Sequence, residues 1–207
     1  MPVPAVSAPW QTGGMTHTIP RLSLLWALLL ALALTVALAG TLFWMGHIPI
    51  CKCGYIKLWH GGRGDSEISQ HLTDWYTYSH LLHGVIFYFV LWFIFRGRLS
   101  VGARLVIATL IEGAWEIFEN TPFIINRYRT QTVSRDYFGD TIINSVGDML
   151  AMIVGFLIAF RLPPWVTVFL LIATELVLLY LIRDNLLLNI IMLIYPLEAI
   201  KQWQMGK

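Results

Sequence analysis

Long apolar runs alternate with polar, glycine-bearing stretches along the chain, and this pattern divides it into helices and loops. Residues 22–45 contain no Asp, Glu, Lys or Arg, and about 20 apolar residues suffice to cross a bilayer core as a helix. Residues 46–74 are polar, with glycines clustered at Gly61, Gly62 and Gly64, the composition of a long loop. A second uncharged run, 75–95, stops at Arg96. The third segment, 101–118, has Arg104 near its start and Glu112 and Glu116 well inside it, so its acidic face must meet protein or water. Residues 119–140, with Pro122, Arg127, Arg129, Arg135 and Asp136, read as a second polar loop. The fourth run, 141–160, is interrupted only by Asp148; Pro163-Pro164 ends it and starts the fifth, 165–182, which carries Glu175. Residues 186–197 are too few for a comfortable crossing and predict a half-helix or interfacial segment, a sixth span being the alternative. Residues 1–20 mix Pro, Gly, Ser and Thr without periodicity and predict a flexible tail. Ala37-Leu38-Ala39 has the form of a signal-peptidase site, but the apolar run continues through Met45 and suits an anchor better.

Composition narrows the class. Of the 207 residues, 57% are hydrophobic and 13% charged, against about 25% charged in soluble domains. The chain therefore reads as all-α: a polytopic helical membrane protein of five transmembrane helices plus a short C-terminal half-helix, forming one domain over 21–207. Its predicted partner is the lipid bilayer. A net charge of +2 without a basic stripe excludes a nucleic-acid partner. Alternating spans place loops 46–74 and 119–140 on the same face. With six crossings the cations divide seven to seven, and the crowding of arginines after the second span favours the amino end inside and the loops outside. Cys51 and Cys53, one residue apart, read as too close for an ordinary structural disulfide and as a structural or redox-sensitive turn rather than a zinc site.

The ionisable residues within the spans form a constellation. Glu112, Glu116 and Glu119 recur at i, i+4, i+7, and Asp140, Asn144 and Asp148 at i, i+4, i+8, each set a single helical stripe; Tyr76, His80 and His83 make a third. All three stripes belong to the loop end, and Glu112 and Asp148 fall at matching depths. A carboxylate near the bilayer interior costs about 2.5–3.5 kcal/mol on insertion scales, so these groups should satisfy one another or a bound ion. His, carboxylate and Asn donors on neighbouring helices suit a divalent cation such as zinc, manganese or magnesium. His80, His83, Glu116, Asp140, Asn144 and Asp148 are the candidate ligands, and Glu112, Glu116 and Arg135 the candidate catalytic residues. Glu112 would act as base, and Arg127, Arg129 or Arg135 would meet an anionic head group. The predicted activity is metal-assisted hydrolysis or transfer on a lipid-linked or envelope substrate. Two alternatives use the same residues: a hydrogen-bonded packing network, and a proton or ion path that also employs Glu175. Outside the centre, Asp74 reads as a helix cap, Gly147, Ala151 and Gly155 as a close-packing strip, and tryptophans such as Trp44, Trp59 and Trp165 as interface anchors.

Several stretches carry a family resemblance: Cys51-Lys52-Cys53-Gly54-Tyr55, Ser69-Gln70-His71-Leu72-Thr73-Asp74-Trp75-Tyr76, Ser79-His80-Leu81-Leu82-His83-Gly84, Glu112-Gly113-Ala114-Trp115-Glu116-Ile117-Phe118-Glu119-Asn120, Gly139-Asp140 through Gly147-Asp148, and Arg183-Asp184-Asn185-Leu186. The chain resembles an uncharacterised family of bacterial inner-membrane proteins known as a domain of unknown function. That likeness implies a multi-pass inner-membrane location. More distantly it resembles the VanZ-like membrane proteins, whose His, Glu, Arg, Asp, Asn and Gly succession would be filled by His80 or His83, Glu116, Arg135, Asp140, Asn144 and Gly147. The sequence departs from that pattern in having Glu119 after Glu116 and in its cysteine-bearing loop.

Overall fold

Ser23 accepts a hydrogen bond from the amide of Trp26, and Ser100 from that of Ala103, so each caps the start of a long apolar helix. These are α1 (Leu24–Trp44) and α3 (Val101–Glu119). In the computed structural model, which describes residues 22–96 and 98–206, they rise in parallel, and Ser100 Oγ donates to the carbonyl of Leu22 where they begin. The tail read for 1–20 lies outside the described residues. Between them in sequence, α2 (Thr77–Phe95) runs back down, and α4 (Pro122–Gln131), α5 (Ile142–Arg161), α6 (Pro164–Ile182), α7 (Leu186–Ile194) and α8 (Glu198–Gln204) follow. Among the described residues the structure is all-helical, with eight helices and no strand. Four of them, α1, α2, α5 and α6, are long and apolar enough to cross a membrane. Helix α3 is as long as α2 but carries Arg104, Glu112 and Glu116, and it packs among α1, α2 and α5, where those groups are buried.

Helices α2 and α5 form the tightest pair, and they run parallel. A Cβ added at Gly84 would lie 1.9 Å from the carbonyl oxygen of Met152, and one at Gly155 would lie 1.9 Å from that of Leu81. Glycine thus lets two backbones touch where hydrophobic sorting between helices is weak. Around this seam Leu82, Val85, Met149, Met152 and Phe156 join α1 side chains such as Ala27, Ala31, Leu38 and Leu42 in the core. Helix α6 stands at the periphery, burying only Thr167 and Leu178.

Four sequence expectations need correction. The stretch 119–140 is not all loop: Pro122, with its missing N–H and fixed φ, opens α4 one residue after Thr121. The run 186–197 ends sooner than read, because Tyr195 precedes Pro196 and takes a non-helical conformation, dividing α7 from α8. Cys51 and Cys53 are joined in a disulfide; their Cα atoms, 5.1 Å apart, fall within the ordinary range because the turn closes through Gly54 N donating to Cys51 O. Asp74 is not the cap of α2: Tyr76 takes that place without a side-chain cap bond, and Asp74 holds the turn before it. Its carboxylate accepts from the amides of Tyr76 and Ser69, which holds a turn ahead of Thr77, so the helix begins two residues later than the apolar run.

Helix α7 does not run away from the loop end. Its first amides, Leu186 N and Leu187 N, donate to the Glu175 carboxylate of α6, and its last carbonyls, Leu193 O and Ile194 O, accept from Arg127 of α4. Glu175 thus finds its partners at a helix start, where an anion is favoured. Replacing Gly155 with Val should force α2 and α5 apart and cost about 3 kcal/mol or more, since overpacking of this kind usually costs about 1–3 kcal/mol even without a backbone clash. Thermal unfolding in detergent should show the lower midpoint, with Leu150→Val at an exposed site of the same helix near wild type.

Candidate functional site

The loop end is built around a turn that returns the chain from α4 to α5. Gly139 has φ +95°, a conformation disfavoured for other residues, and it brings Asp140 back against α3. There Asn120 closes a reciprocal pair: its Oδ1 accepts from Asp140 N (2.7 Å) and its Nδ2 donates to Asp140 Oδ2 (3.0 Å). Tyr137 donates to the other oxygen, Oδ1, at 2.9 Å. The ring nitrogens of His47 face the carbonyls of Asn120 and Asp140, which ties the end of α1 to the same turn. Burial pushes the Asp140 carboxyl up from its ordinary range, and the Asn120 and Tyr137 donors hold it back. Asn144 belongs to this architecture, not to the deeper cluster: its Nδ2 donates to His71 O, pinning the first loop.

Below the turn, α2, α3 and α5 bring His80, His83, Glu112, Glu116 and Asp148 together. His80 Nδ1 donates to Glu112 Oε1 at 2.6 Å and His83 Nδ1 to Glu112 Oε2 at 3.0 Å. A single carboxylate, 0% exposed, therefore orients both imidazoles, and in the neutral form of each ring Nε2 keeps its lone pair. His80 Nε2 stands 3.8 Å from Asp148 Oδ2. That is too long for a hydrogen bond, but both atoms can reach one cation at about 2.0–2.2 Å each. Glu116 Oε1 lies 3.2 Å from His80 Nδ1, at an angle that makes no hydrogen bond because that N–H faces Glu112. Both Glu116 oxygens, Asp148 Oδ1 and Glu119 Oε2 are buried without a hydrogen-bond partner among the described residues.

The cluster faces a cavity of about 350 Å³ with two kinds of wall. His80, His83, Glu119, Asp140 and Asp148 form one side; Ile86, Phe87, Ile111, Trp115, Ile190 and Leu193 form the other, with α7 supplying the last two. Ile111 and Ile190 are exposed on the outer surface, so the apolar side opens laterally between α3 and α7. A second cavity of similar size, toward the loops, shares Ile68, Tyr76 and Ser134 with the first and is lined by Arg63 and Arg183. Asp184 on its floor accepts from Tyr76 OH, and burial raises its carboxyl to about 6.

Among the candidate site residues, Arg135 lies apart, exposed on the loop with its guanidinium 4.0 Å from Met205 Sδ. Arg127 is occupied with the α7 carbonyls. Asn120 and Arg183 stand in the family stretches without a role assigned from sequence, and Tyr137 and Arg63 outside them; Asn120, one turn after Glu116, has a helical-spacing signal, Arg183 caps α6, and Tyr137 and Arg63 are placed by loops. In the first loop, Glu67 accepts from Lys57, His71 and Tyr55, and the Lys57 ammonium above all holds its carboxyl down to about 2. Lys57 Nζ also donates to His60 Nδ1, so the His60, Glu67 and His71 group is clasped by the chain's own cation.

The family model described as a protein of unknown function (DUF2585) matches residues 42–206. The chain belongs to this family. That span takes in every residue of the centre and both cavities. Among DUF2585 relatives, the UPF0314 protein of Paracoccus denitrificans is 53% identical over 179 residues, covering 86% of this chain and 91% of the relative. The UPF0314 protein of Sinorhizobium fredii is 56% identical over 162 residues (78% and 82%), and that of Sphingopyxis alaskensis 52% over 178 residues (86% and 94%). No solved structure matches the chain.

The buried Asp184 gives a pH dependence of definite sign. Because its folded pKa of about 6 exceeds the ordinary 3.8, its contribution is fully present below pH 3.8 and is lost as pH rises through 6. Wild type should therefore lose on the order of 2 kcal/mol relative to Asp184→Asn between pH 4 and pH 7, read as converging or crossing thermal midpoints. Parallel curves would refute the assignment.

Proposed function

We propose that this chain is one helical inner-membrane domain of five crossings, α3 included, with α7 as a half-helix and the loops on the outer face. Its His/Glu/Asp centre holds a divalent cation and supports hydrolysis or transfer on a lipid-linked or envelope substrate. The observation that carries this reading is the grouping of Glu116 and Asp148 oxygens, buried and without hydrogen-bond donors, around two histidines that share Glu112. An uncompensated buried carboxylate costs several kcal/mol, and zinc, manganese or magnesium is the kind of group that removes that cost.

In this reading His80, Glu116 and Glu119, whose donor atoms lie within 4.8 Å of one another, hold the cation, His83 stands beside them, and Glu112 positions both imidazoles, its two oxygens being taken up by their N–H groups. A bound cation would supply Lewis acidity and an activated water. Asp148, on the same cavity wall with Oδ1 buried and without a hydrogen-bond partner, is the better placed base. Asp140 sits above, held by Asn120 and Tyr137. The two-sided cavity favours an amphipathic substrate: the lateral apolar side receives a chain from the bilayer, and Arg63 and Arg183 meet an anionic head group nearer the water. Arg135 would join them only by a movement of its loop.

Elemental analysis of the detergent-purified protein tests the centre. Near-stoichiometric zinc, manganese or magnesium is expected, falling about ten- to hundredfold in Glu112→Gln, where only the orienting carboxylate changes, and further in His83→Ala. Circular dichroism confirms folding of each variant. A folded wild type that takes up none of the three metals when each is supplied contradicts the reading and leaves a packing or proton-relay network in its place.

A further inference from the structure

The opposite end of the bundle has a different chemistry. Every one of the 12 Asp and Glu residues belongs to the loop end or to the half of a long helix nearest it. The far end carries Arg96, Arg98, Arg104 and Arg161 and no acid. Three of these sit at helix ends or in a turn. Arg104 does not: it is 4% exposed, three residues into α3, or about 4.5 Å along the helix axis.

Its guanidinium lies over the Tyr88 ring of α2, 4.9 Å from the centroid. Tyr88 in turn meets Phe160 of α5, and the Arg161 guanidinium lies over that ring at 5.5 Å from its centroid. The aromatic face offsets part of the Arg104 charge but accepts none of its N–H bonds. Nε and Nη1 are buried and without a partner, and among the described residues Arg104 forms no ion pair. Arginine has five donors and stays charged in proteins, so it cannot escape the cost by losing its proton. The group that satisfies it is an oxyanion able to take two N–H bonds at once.

We propose that Arg104 anchors a binding site for the phosphate of an anionic phospholipid, seated between α2 and α3 at the acid-free end. The lipid, rather than a soluble phosphate, is favoured by what surrounds this end: Leu25, Phe93, Ile94 and Trp165 are largely exposed at its level and form an apolar rim. Tryptophan at such a level belongs to the bilayer interface. With Arg104 4% exposed, the phosphate would reach its guanidinium by entering between α2 and α3 beside the Tyr88 ring. This site is independent of the metal centre, which occupies the other end.

Native mass spectrometry of the whole protein tests it, after reconstitution in phosphatidylcholine alone, in phosphatidylcholine with phosphatidylglycerol, and in phosphatidylcholine with inorganic phosphate. The wild type should retain phosphatidylglycerol in preference to phosphatidylcholine. Arg104→Gln should weaken that retention about ten- to hundredfold, Arg104→Lys should keep part of it, and Arg98→Gln should behave as wild type. Equal retention of the two lipids by the wild type overturns the proposal, and does so even if Arg104→Gln fails to fold. Undiminished phosphatidylglycerol retention by a folded Arg104→Gln overturns it as well. Displacement of the lipid by inorganic phosphate would assign the site to a soluble anion and overturn the lipid.

Discussion

Carboxylates buried in a helix bundle are expensive, and Glu112, Glu116 and Asp148 are all within about one side chain of His80. Each must be paired, protonated or bound to a cation, because the idealised cost of an isolated ion in such surroundings far exceeds the stability of a typical domain. The rest of the loop end can be understood as the means of gathering these groups without leaving gaps between the helices. Gly84 and Gly155 let α2 and α5 touch, which sets His80 and Asp148 on adjoining faces. The parallel α1 and α3 pair buries Arg104 at one end and carries Glu112 and Glu116 toward the other.

The loops and short helices serve that gathering. Asn120 and Tyr137 fix Asp140, Asn144 pins the first loop, and Glu175 and Arg127 hold the two ends of α7 so that its apolar side walls the cavity. Sequence distance is no guide here: His47, Asn120 and Asp140 meet from three separate segments. The charges are also segregated along the bundle axis. Acids collect at the end that holds the histidines, and the opposite end carries Arg96, Arg98, Arg104 and Arg161 without an acid.

Much of this was legible in the residues. The apolar runs marked α3 and the four helices long and apolar enough to cross a membrane, because length and hydropathy decide such elements locally. The i, i+4 spacing of Glu112 and Glu116 and the depth of Asp148 placed them in register with His80. What escaped was set by contacts between distant segments or by single backbone events. Helix α4 was hidden by its arginines and low hydropathy, although Pro122 marked its start. The break at Tyr195-Pro196 split one expected segment into two helices. The partners of Glu175 lie 11 and 12 residues away at the start of another helix, so in sequence it looked solitary. The disulfide of Cys51 and Cys53 depended on a turn closed through Gly54, which spacing alone did not reveal.

The central claim is that the buried carboxylates are answered by a cation. Anomalous diffraction from crystals grown with zinc or manganese tests it most directly. A peak is expected about 2.0–2.2 Å from a His80 ring nitrogen and a Glu116 oxygen, with Glu119 as a further ligand. Well-ordered density in which water or protonated carboxylates fill that position, with no anomalous signal, would contradict it.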